Sequence, residues 1–247
     1  MLAVYTANDI HINHRLLNPT DVREQSPYFT LQGQELVLND SYRAVLAGMA
    51  QQPWWRRWRI WLTGRSRVAQ LLYDAWAGIR SASIGEPGDR DERPDLGEEA
   101  IYRAPVAPEL VDAWNVTEAL IVRLADDVKR DGAGPWVVTL ANGPQLLPDP
   151  GERRRVAEAV GVASLSYPDR RIGAFARAHG IGAIALAEPM ADYATRHQVH
   201  LRGGYTRAVP SGAGHWNAQG NRLGASLVAE RLCLESPALR QHRAVSH

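Results

Sequence analysis

The sequence predicts an α/β protein in which a parallel sheet is covered by helices on both faces. Three continuous apolar runs, at residues 2–6, 135–141 and 181–187, are typical of strands that are buried on both sides. Segments with apolar residues at helical spacing lie between and after these runs. The alternation of strand and helix is the pattern of an α/β fold.

The composition predicts one domain of no special class. The 247 residues carry 28 basic and 27 acidic side chains, and a net charge of +1 does not indicate a nucleic-acid binder. The single cysteine, Cys233, excludes an intrachain disulfide and a thiolate metal cluster. The sequence has no signal-peptide pattern and no apolar run of membrane-spanning length, so as written it is expected in the cytoplasm.

The N-terminal part is predicted to add a hairpin and a helical insertion to the first strand. Residues 27–38 contain two β-type runs around a glycine, which is the pattern of a hairpin. Residues 41–105 are predicted to be a helical insertion, broken at Pro53 and near Gly64, and then a mobile loop. The loop begins near residue 81 and is rich in Gly, Pro, Asp and Glu.

Residues 54–61 hold four of the eight tryptophans, interleaved with arginines. Three interpretations are open: a helix packed on the core, a lid over an acyl-binding cleft, and an interfacial membrane helix. Packing on the core is favoured, and membrane contact through residues 54–61 is the less favoured alternative. A nucleic-acid partner is not expected, because no recognition motif accompanies these basic residues.

From Pro108 onward the predicted helices and strands alternate regularly. Apolar residues at three- and four-residue intervals predict a long helix from Pro108 that ends at Gly132. Two shorter helices are predicted at residues 152–160 and 168–179, between the second and third apolar runs. A last helix is predicted after His215.

The most informative feature is the loop that precedes this last helix. Residues 214–217 are Gly-His-Trp-Asn, and Gly220 follows. Asn217 is suited to cap the helix by accepting backbone N–H bonds. Because the ordinary pKa of histidine is about 6.5, His215 is a candidate general base at neutral pH. The alternative is a loop histidine that only binds the backbone.

Asn8 directly follows the first predicted strand and is a candidate to share a site with His215. Active sites of parallel sheets lie at the carboxyl ends of the strands. Asn142 and Glu188 follow the second and third strands, and the loop with His215 comes after the third. Without His215, capping of a turn would be the preferred role for Asn8.

These motifs resemble those of the SGNH/GDSL hydrolase superfamily. Residues 6–10, Thr-Ala-Asn-Asp-Ile, are similar to the third sequence block of the family. Residues 214–217, with Gly220, resemble the fifth block around the catalytic histidine. The resemblance covers most of the chain outside residues 41–105. It implies a three-layer α/β/α fold of the flavodoxin-like SGNH type with a parallel sheet.

The resemblance implies acyl transfer from an ester to water. In this family a serine attacks the ester carbonyl, a histidine takes the proton, and an asparagine amide helps to hold the oxyanion. The matched motifs assign these last two roles to His215 and Asn8. The implied substrate is a small ester or an acylated carbohydrate. No cofactor is expected. No metal is expected either, because His11 and His14 lack a third ligand nearby.

Two departures from the family pattern limit what this polypeptide is expected to do. No Gly-Asp-Ser motif occurs, and Gly212 stands three residues before His215, where the family has an orienting aspartate. We therefore expect one SGNH-like domain, 1–247, in which the N-terminal strands of the family are missing and Met1 is not the true start. Residues 2–6 would then form an exposed sheet edge.

The missing serine block leads to the expectation that the chain is inactive alone. Two other functions are kept open by the sequence. One is a non-catalytic binding or assembly module derived from the fold, and the other is a carbohydrate O-acyltransferase.

Overall fold

The computed structural model describes residues 1–14, 17, 27–33, 35–50, 54–83, 96–204 and 209–236. In these residues the chain forms five strands, nine helices and two short 3₁₀ turns. The strands are β1 (Leu2–Tyr5), β2 (Tyr28–Gln32), β3 (Glu35–Asn39), β4 (Trp136–Leu140) and β5 (Gly182–Ala185). The helices are α1 (Thr6–Ile12), α2 (Tyr42–Ala50), α3 (Trp54–Arg65), α4 (Arg67–Ser83), α5 (Pro108–Arg130), α6 (Pro150–Val160), α7 (Tyr167–Ala178), α8 (Ala187–His197) and α9 (Ala218–Glu235).

The main sheet is parallel, with β4 between β1 and β5. Val4 of β1 pairs with Thr139 of β4, and Val138 of β4 pairs with Ile184 of β5. The prediction of an α/β protein with a parallel sheet is confirmed. In the described part of this sheet β1 is an edge strand, and its Val4 is buried whereas its Ala3 is exposed.

Two apolar clusters lie against opposite faces of β4. Neighbouring side chains of a strand point to opposite faces, and Val137 and Val138 belong to different clusters. Val137 packs with residues of β1, α5 and α7, among them Val4, Leu110, Trp114, Ile121 and Ile172. Val138 packs with residues of β5, α8 and α9, among them Ile184, Met190, Ala194, Leu223 and Leu227. Burial on both sides explains why the strand is a continuous apolar run.

The predicted hairpin in residues 27–38 is confirmed. Strands β2 and β3 pair antiparallel as a separate two-stranded sheet, and Gly33 in the connection has a φ of 65°. Glycine adopts this left-handed conformation without steric cost. The hairpin packs against α5, and Tyr28 is its buried residue.

The end of the predicted mobile loop is ordered, which corrects part of the prediction for residues 81–105. Helix α4 continues to Ser83, and residues 84–95 lie outside the described part. Residues Glu98–Tyr102 form a 3₁₀ turn whose last three side chains are buried. A single turn has no periodicity to detect, so its place in the core is revealed by its contacts with α1, α6 and α7.

Helices α3 and α4 confirm the predicted helical segment but not its predicted packing. Their main contact is with each other. Trp54, Trp58 and Trp61 are exposed, and Trp54 retains 78% of its accessible surface. The favoured interpretation, a helix packed on the core, is therefore wrong for these three side chains. None of the helices in the described residues is long and apolar enough to cross a membrane.

Arg171 of α7 makes three kinds of contact, two of which reach α5. Its Nε donates to Glu118 Oε1 at 2.7 Å, and its Nη1 donates to the Tyr167 hydroxyl at 3.3 Å. The guanidinium lies 4.3 Å from the ring centroid of the fully buried Trp114. Burial lowers the pKa of Arg171, but the hydrogen bonds with Glu118 and Tyr167 outweigh it and leave the pKa above its ordinary value. Arg171 therefore remains charged at the edge of the core.

We expect Arg171→Ala to lower the free energy of unfolding by about 1–3 kcal/mol, because it leaves Glu118 without its partner and uncovers Trp114. The control is Arg231→Ala, which breaks the exposed pair with Glu235 and should cost at most about 0.5 kcal/mol. Urea denaturation of both variants measures the difference. Equal effects would contradict a special role for Arg171.

Candidate functional site

The His215 loop is held beside the segment that follows α8. Arg202 and Trp216 form an isolated antiparallel bridge. The Gly203 N–H donates to the His215 carbonyl at 3.0 Å. The His215 side chain itself is exposed. The backbone of the candidate base is thus held by a hydrogen bond, and the residue is accessible to solvent.

The start of α9 has the predicted cap. Asn217 Oδ1 accepts from the Gly220 N–H at 2.9 Å, and Asn217 Nδ2 donates to the His200 carbonyl at 2.8 Å. The prediction that Asn217 is the N-cap is confirmed. A Cβ on the buried Gly220 would lie 2.3 Å from the Leu201 carbonyl oxygen, so only glycine allows this close approach of α9 to the loop.

Two side chains tie the His215 loop to the carboxyl end of the central strand. Trp216 Nε1 donates to the Ala141 carbonyl at 3.2 Å, and Arg202 Nη1 donates to the same oxygen at 3.4 Å. Arg202 Nη2 also donates to the Gly214 carbonyl. Ala141 directly follows β4. The loop that carries the candidate base is therefore anchored at the edge of the sheet where parallel strands place active sites.

Asn8 is exposed and lies in the first turn of α1, which begins directly after β1. Two residues earlier, the Thr6 hydroxyl accepts a hydrogen bond from Asn142 Nδ2 at 3.0 Å. Asn142 is buried and follows Ala141 in the chain. The turn that carries Asn8 and the loop that carries His215 are thus both bound to the two residues that follow β4. Since Asn8 is inside a helix, the alternative role of a turn cap does not apply.

Gly212, three residues before His215, has a backbone that does not suit an aspartate. Its φ is 92°, a conformation that side chains other than glycine rarely adopt. A Cβ there would lie 3.2 Å from His200 Nδ1. The loop before His215 is therefore built differently from an Asp-x-x-His segment, and His200 lies beside it.

A buried polar network below this edge was missed by the sequence analysis. The Asn142 N–H donates to Gln145 Oε1 at 2.7 Å. Gln145 Nε2 donates to Asp169 Oδ2 at 2.6 Å and to the Leu165 carbonyl at 2.9 Å. The Thr139 hydroxyl donates to Asp169 Oδ1 at 2.5 Å. The only signal in the sequence was Asn142 directly after a strand, and nothing in the spacing connects it to Asp169.

Asp169 is the buried ionisable group of this network. Burial raises the pKa of Asp169, and the hydrogen bonds from Thr139 and Gln145 lower it in part. The negative charge of Glu188 adds to the rise. The net result is a pKa above the ordinary value of aspartate, so the folded protein keeps this proton to a higher pH than the unfolded chain does.

Two cavities lie near Asp169, away from the candidate catalytic residues. They have volumes of about 250 and 180 Å³ and share Ser166, Ala187 and Glu188 in their walls. Neither cavity is lined by Asn8 or His215. These cavities between α6, α7 and α8 are therefore separate from the edge of the sheet where Asn8 and His215 lie.

His11 and His14, three residues apart, each bind a different partner. His11 Nε2 lies 3.1 Å from the Leu96 carbonyl oxygen, and His14 Nε2 lies 3.1 Å from Asp112 Oδ2. Both contacts help to hold the end of α1 against its neighbours. In the part of the chain that the structure describes, no group of three His, Cys, Asp or Glu side chains is arranged to hold a metal ion.

Comparisons with known proteins found no relative of this chain. No protein-family model, no curated protein and no solved structure matches it. A function is therefore inferred from the residues and geometry described above.

We expect Gly220→Ala to lower the free energy of unfolding by about 1–3 kcal/mol, because its Cβ would overlap the Leu201 carbonyl and displace the loop. The control is Gly134→Ala, at an open position without a positive φ, which should change stability by less than about 1 kcal/mol. Urea denaturation compares the two variants. A Gly220→Ala protein as stable as the control would contradict the close approach of α9.

We expect Asp169→Asn to change how stability depends on pH. In the wild type, the raised pKa of Asp169 contributes stability that is complete below the ordinary aspartate pKa of about 4 and is lost as pH rises through the folded-state pKa. Asparagine does not titrate, so the variant should gain stability relative to the wild type as pH increases from about 4 to 8. Urea unfolding across this range measures the slope.

Asp127→Asn is the control for this slope, because Asp127 is exposed and has the opposite shift. A hydrogen bond from Arg130 lowers the pKa of Asp127. The wild type should therefore gain stability relative to this variant as pH rises through the carboxyl range. Slopes of the same sign for the two variants would show that Asp169 is not kept protonated by burial.

Proposed function

We propose that this chain carries part of the catalytic site of an ester hydrolase of the SGNH/GDSL type. The observation that carries the proposal is a pair of hydrogen bonds that join the two candidate segments to the residues directly after β4. Asn142 binds Thr6, two residues before Asn8, and Ala141 binds Trp216, the neighbour of His215. The two candidate residues come from opposite ends of the chain, and a neighbour of each is hydrogen-bonded to one of the two residues that follow β4.

In the proposed reaction, His215 is the general base and Asn8 is a donor of the oxyanion hole. His215 takes the proton of a serine hydroxyl as the oxygen attacks the ester carbonyl, and it returns this proton to the leaving alcohol. The Asn8 amide donates a hydrogen bond to the oxygen on which negative charge develops. One such donor contributes about 3–4 kcal/mol of transition-state stabilisation. A water molecule, whose proton His215 takes, then attacks the carbonyl of the acyl-serine. The serine–acyl bond breaks, His215 returns the proton to the serine oxygen, and the acid is released.

The finer fold proposed here is the three-layer α/β/α arrangement of flavodoxin-like SGNH proteins. It is supported by the two apolar clusters on opposite faces of β4, one with α5 and α7 and the other with α8 and α9. It is also supported by the parallel order β1-β4-β5. Helices on both faces leave the carboxyl edge of the sheet as the open place for a substrate.

The nucleophile is the part of the site that these residues do not supply. The 247 residues contain no Gly-Asp-Ser motif, and an aspartate that orients His215 is missing at Gly212. We therefore expect no ester turnover from this polypeptide alone. The proposed substrate class is a small ester or an acylated carbohydrate.

The test begins with the reading frame upstream of the Met1 codon. Where that frame encodes Gly-Asp-Ser followed by an apolar strand, a chain that includes this segment should hydrolyse p-nitrophenyl acetate. In the extended chain, His215→Ala should lower kcat by about 10⁴-fold or more and Asn8→Ala by about 10²–10³-fold. The control is His197→Ala, an exposed histidine at the end of α8, which should leave kcat unchanged.

Two outcomes would contradict the proposal, and a third would contradict only the expectation that this chain is inactive alone. A stop codon directly upstream, together with an inactive chain, would favour a non-catalytic module that keeps the fold. Activity of the extended chain that survives His215→Ala would remove His215 from the reaction. Turnover by the 247-residue chain that is abolished by His215→Ala would instead place the nucleophile among its own serines.

A further inference from the structure

Helices α3 and α4, joined at Ser66, expose apolar residues that most proteins would bury. Residues 54–83 are called the tryptophan hairpin below, because they hold five of the eight tryptophans. On α3, Trp54, Trp58 and Trp61 are spaced by four and three residues, so they lie on one side of the helix. Each of them is more than half exposed.

Helix α4 also turns its apolar side outward. Val68, Leu71, Leu72 and Trp76 share one side of the helix and retain between 50% and 69% of their accessible surface. In a helix on the surface of a globular protein, the apolar side normally faces the core. These four side chains therefore form an exposed apolar surface, which is a typical feature of a binding site.

The tryptophan hairpin is also strongly basic. Residues 54–83 contain six arginines and one aspartate, whereas the whole chain has a net charge of only +1. The guanidinium of Arg65 lies 5.0 Å from the ring centroid of Trp61, so a positive charge is placed at the tryptophan side of α3. A partner of this surface must accept apolar side chains and carry negative charge.

Helices α3 and α4 are two distinct helices that meet at Ser66. The Ser66 hydroxyl accepts from the Ala69 N–H at 3.3 Å and caps α4, and Arg67 Nη1 donates to Gln70 Oε1 at 3.2 Å. Helix α3 has 12 residues and α4 has 17. A helix needs about 20 apolar residues to cross a bilayer. Helices of this length, charge and tryptophan content suit the plane of the membrane interface.

We propose that the tryptophan hairpin binds the surface of a membrane that contains anionic phospholipid. Indole rings favour the headgroup region, valine and leucine side chains enter the upper acyl chains, and the arginines bind lipid phosphates. A second copy of the chain fits less well, because it would bring two strongly basic hairpins together. A nucleic acid would leave Val68, Leu71 and Leu72 in water. The inference does not depend on ester hydrolysis.

The experiment is co-sedimentation of the full chain with vesicles. One set of vesicles is pure phosphatidylcholine, and the other contains phosphatidylglycerol as well. We expect the chain to pellet with the anionic vesicles, to remain largely in solution with the neutral ones, and to be released as salt is added.

Two sets of substitutions in the hairpin test which residues bind. Trp54→Ser, Trp58→Ser and Trp61→Ser combined should reduce binding to the level of neutral vesicles. The double substitution Arg65→Gln and Arg67→Gln should weaken vesicle binding about 30-fold, because each arginine near an anionic surface strengthens binding roughly fivefold. All five side chains are exposed, so the fold should survive, and far-ultraviolet circular dichroism checks this.

Matched controls carry the same kinds of change elsewhere. Val106→Ser with Leu234→Ser removes exposed apolar side chains, and Arg123→Gln with Arg130→Gln removes two exposed charges. Both controls should bind anionic vesicles as the wild type does. Equal losses in hairpin and control variants would overturn the proposal.

Three other outcomes would also overturn the proposal. The first is no binding to anionic vesicles at low salt. The second is a dimer in light scattering, without vesicle binding, that the tryptophan substitutions convert to a monomer, because a second copy would then cover the hairpin. The third is binding of a duplex DNA oligonucleotide, without vesicle binding, that the arginine substitutions abolish.

Discussion

The main-chain carbonyl of Ala141 is the contact on which the candidate site depends. It directly follows the central strand β4 and accepts from both Trp216 Nε1 and Arg202 Nη1. Because Arg202 also binds the Gly214 carbonyl, one buried cation holds the loop against the sheet and keeps the chain on each side of His215 in place. A general base acts efficiently only when its position is set before the substrate arrives. The anchored loop meets that requirement, whereas a free glycine-rich loop would not.

The buried hydrogen-bond network below the carboxyl edge of the sheet holds the neighbouring helices in place. Asn142 binds Thr6 at the start of α1 and Gln145 in the turn after β4, and Gln145 in turn binds Asp169 of α7. Leaving such a buried group unpaired would cost about 1–3 kcal/mol. The pairing therefore fixes α1 and α7 relative to β4 in one arrangement. Burial of the Asp169 carboxyl group under the sheet edge raises its pKa.

The tryptophan hairpin shows what an apolar pattern leaves open. The same three- and four-residue spacing correctly predicted α4 and α5 as helices, because spacing along a helix is a local property. The apolar side of α5 packs on the sheet, whereas that of α4 faces outward. The direction in which the apolar side faces depends on which part of the protein lies opposite the helix. The spacing of apolar residues along the helix does not contain this information. The prediction of packing on the core was wrong for Trp54, Trp58 and Trp61 of α3 for the same reason.

By itself the sequence determined the features that depend on near neighbours. These are the apolar strands, the hairpin of β2 and β3, and the Asn217 cap. Only the tertiary structure decided which distant residues meet. Thr6 and Asn142 are 136 residues apart, and Trp216 and Ala141 are 75 apart. No spacing predicts such pairs, because they form when parallel strands bring their carboxyl ends to one edge and distant loops fold over it.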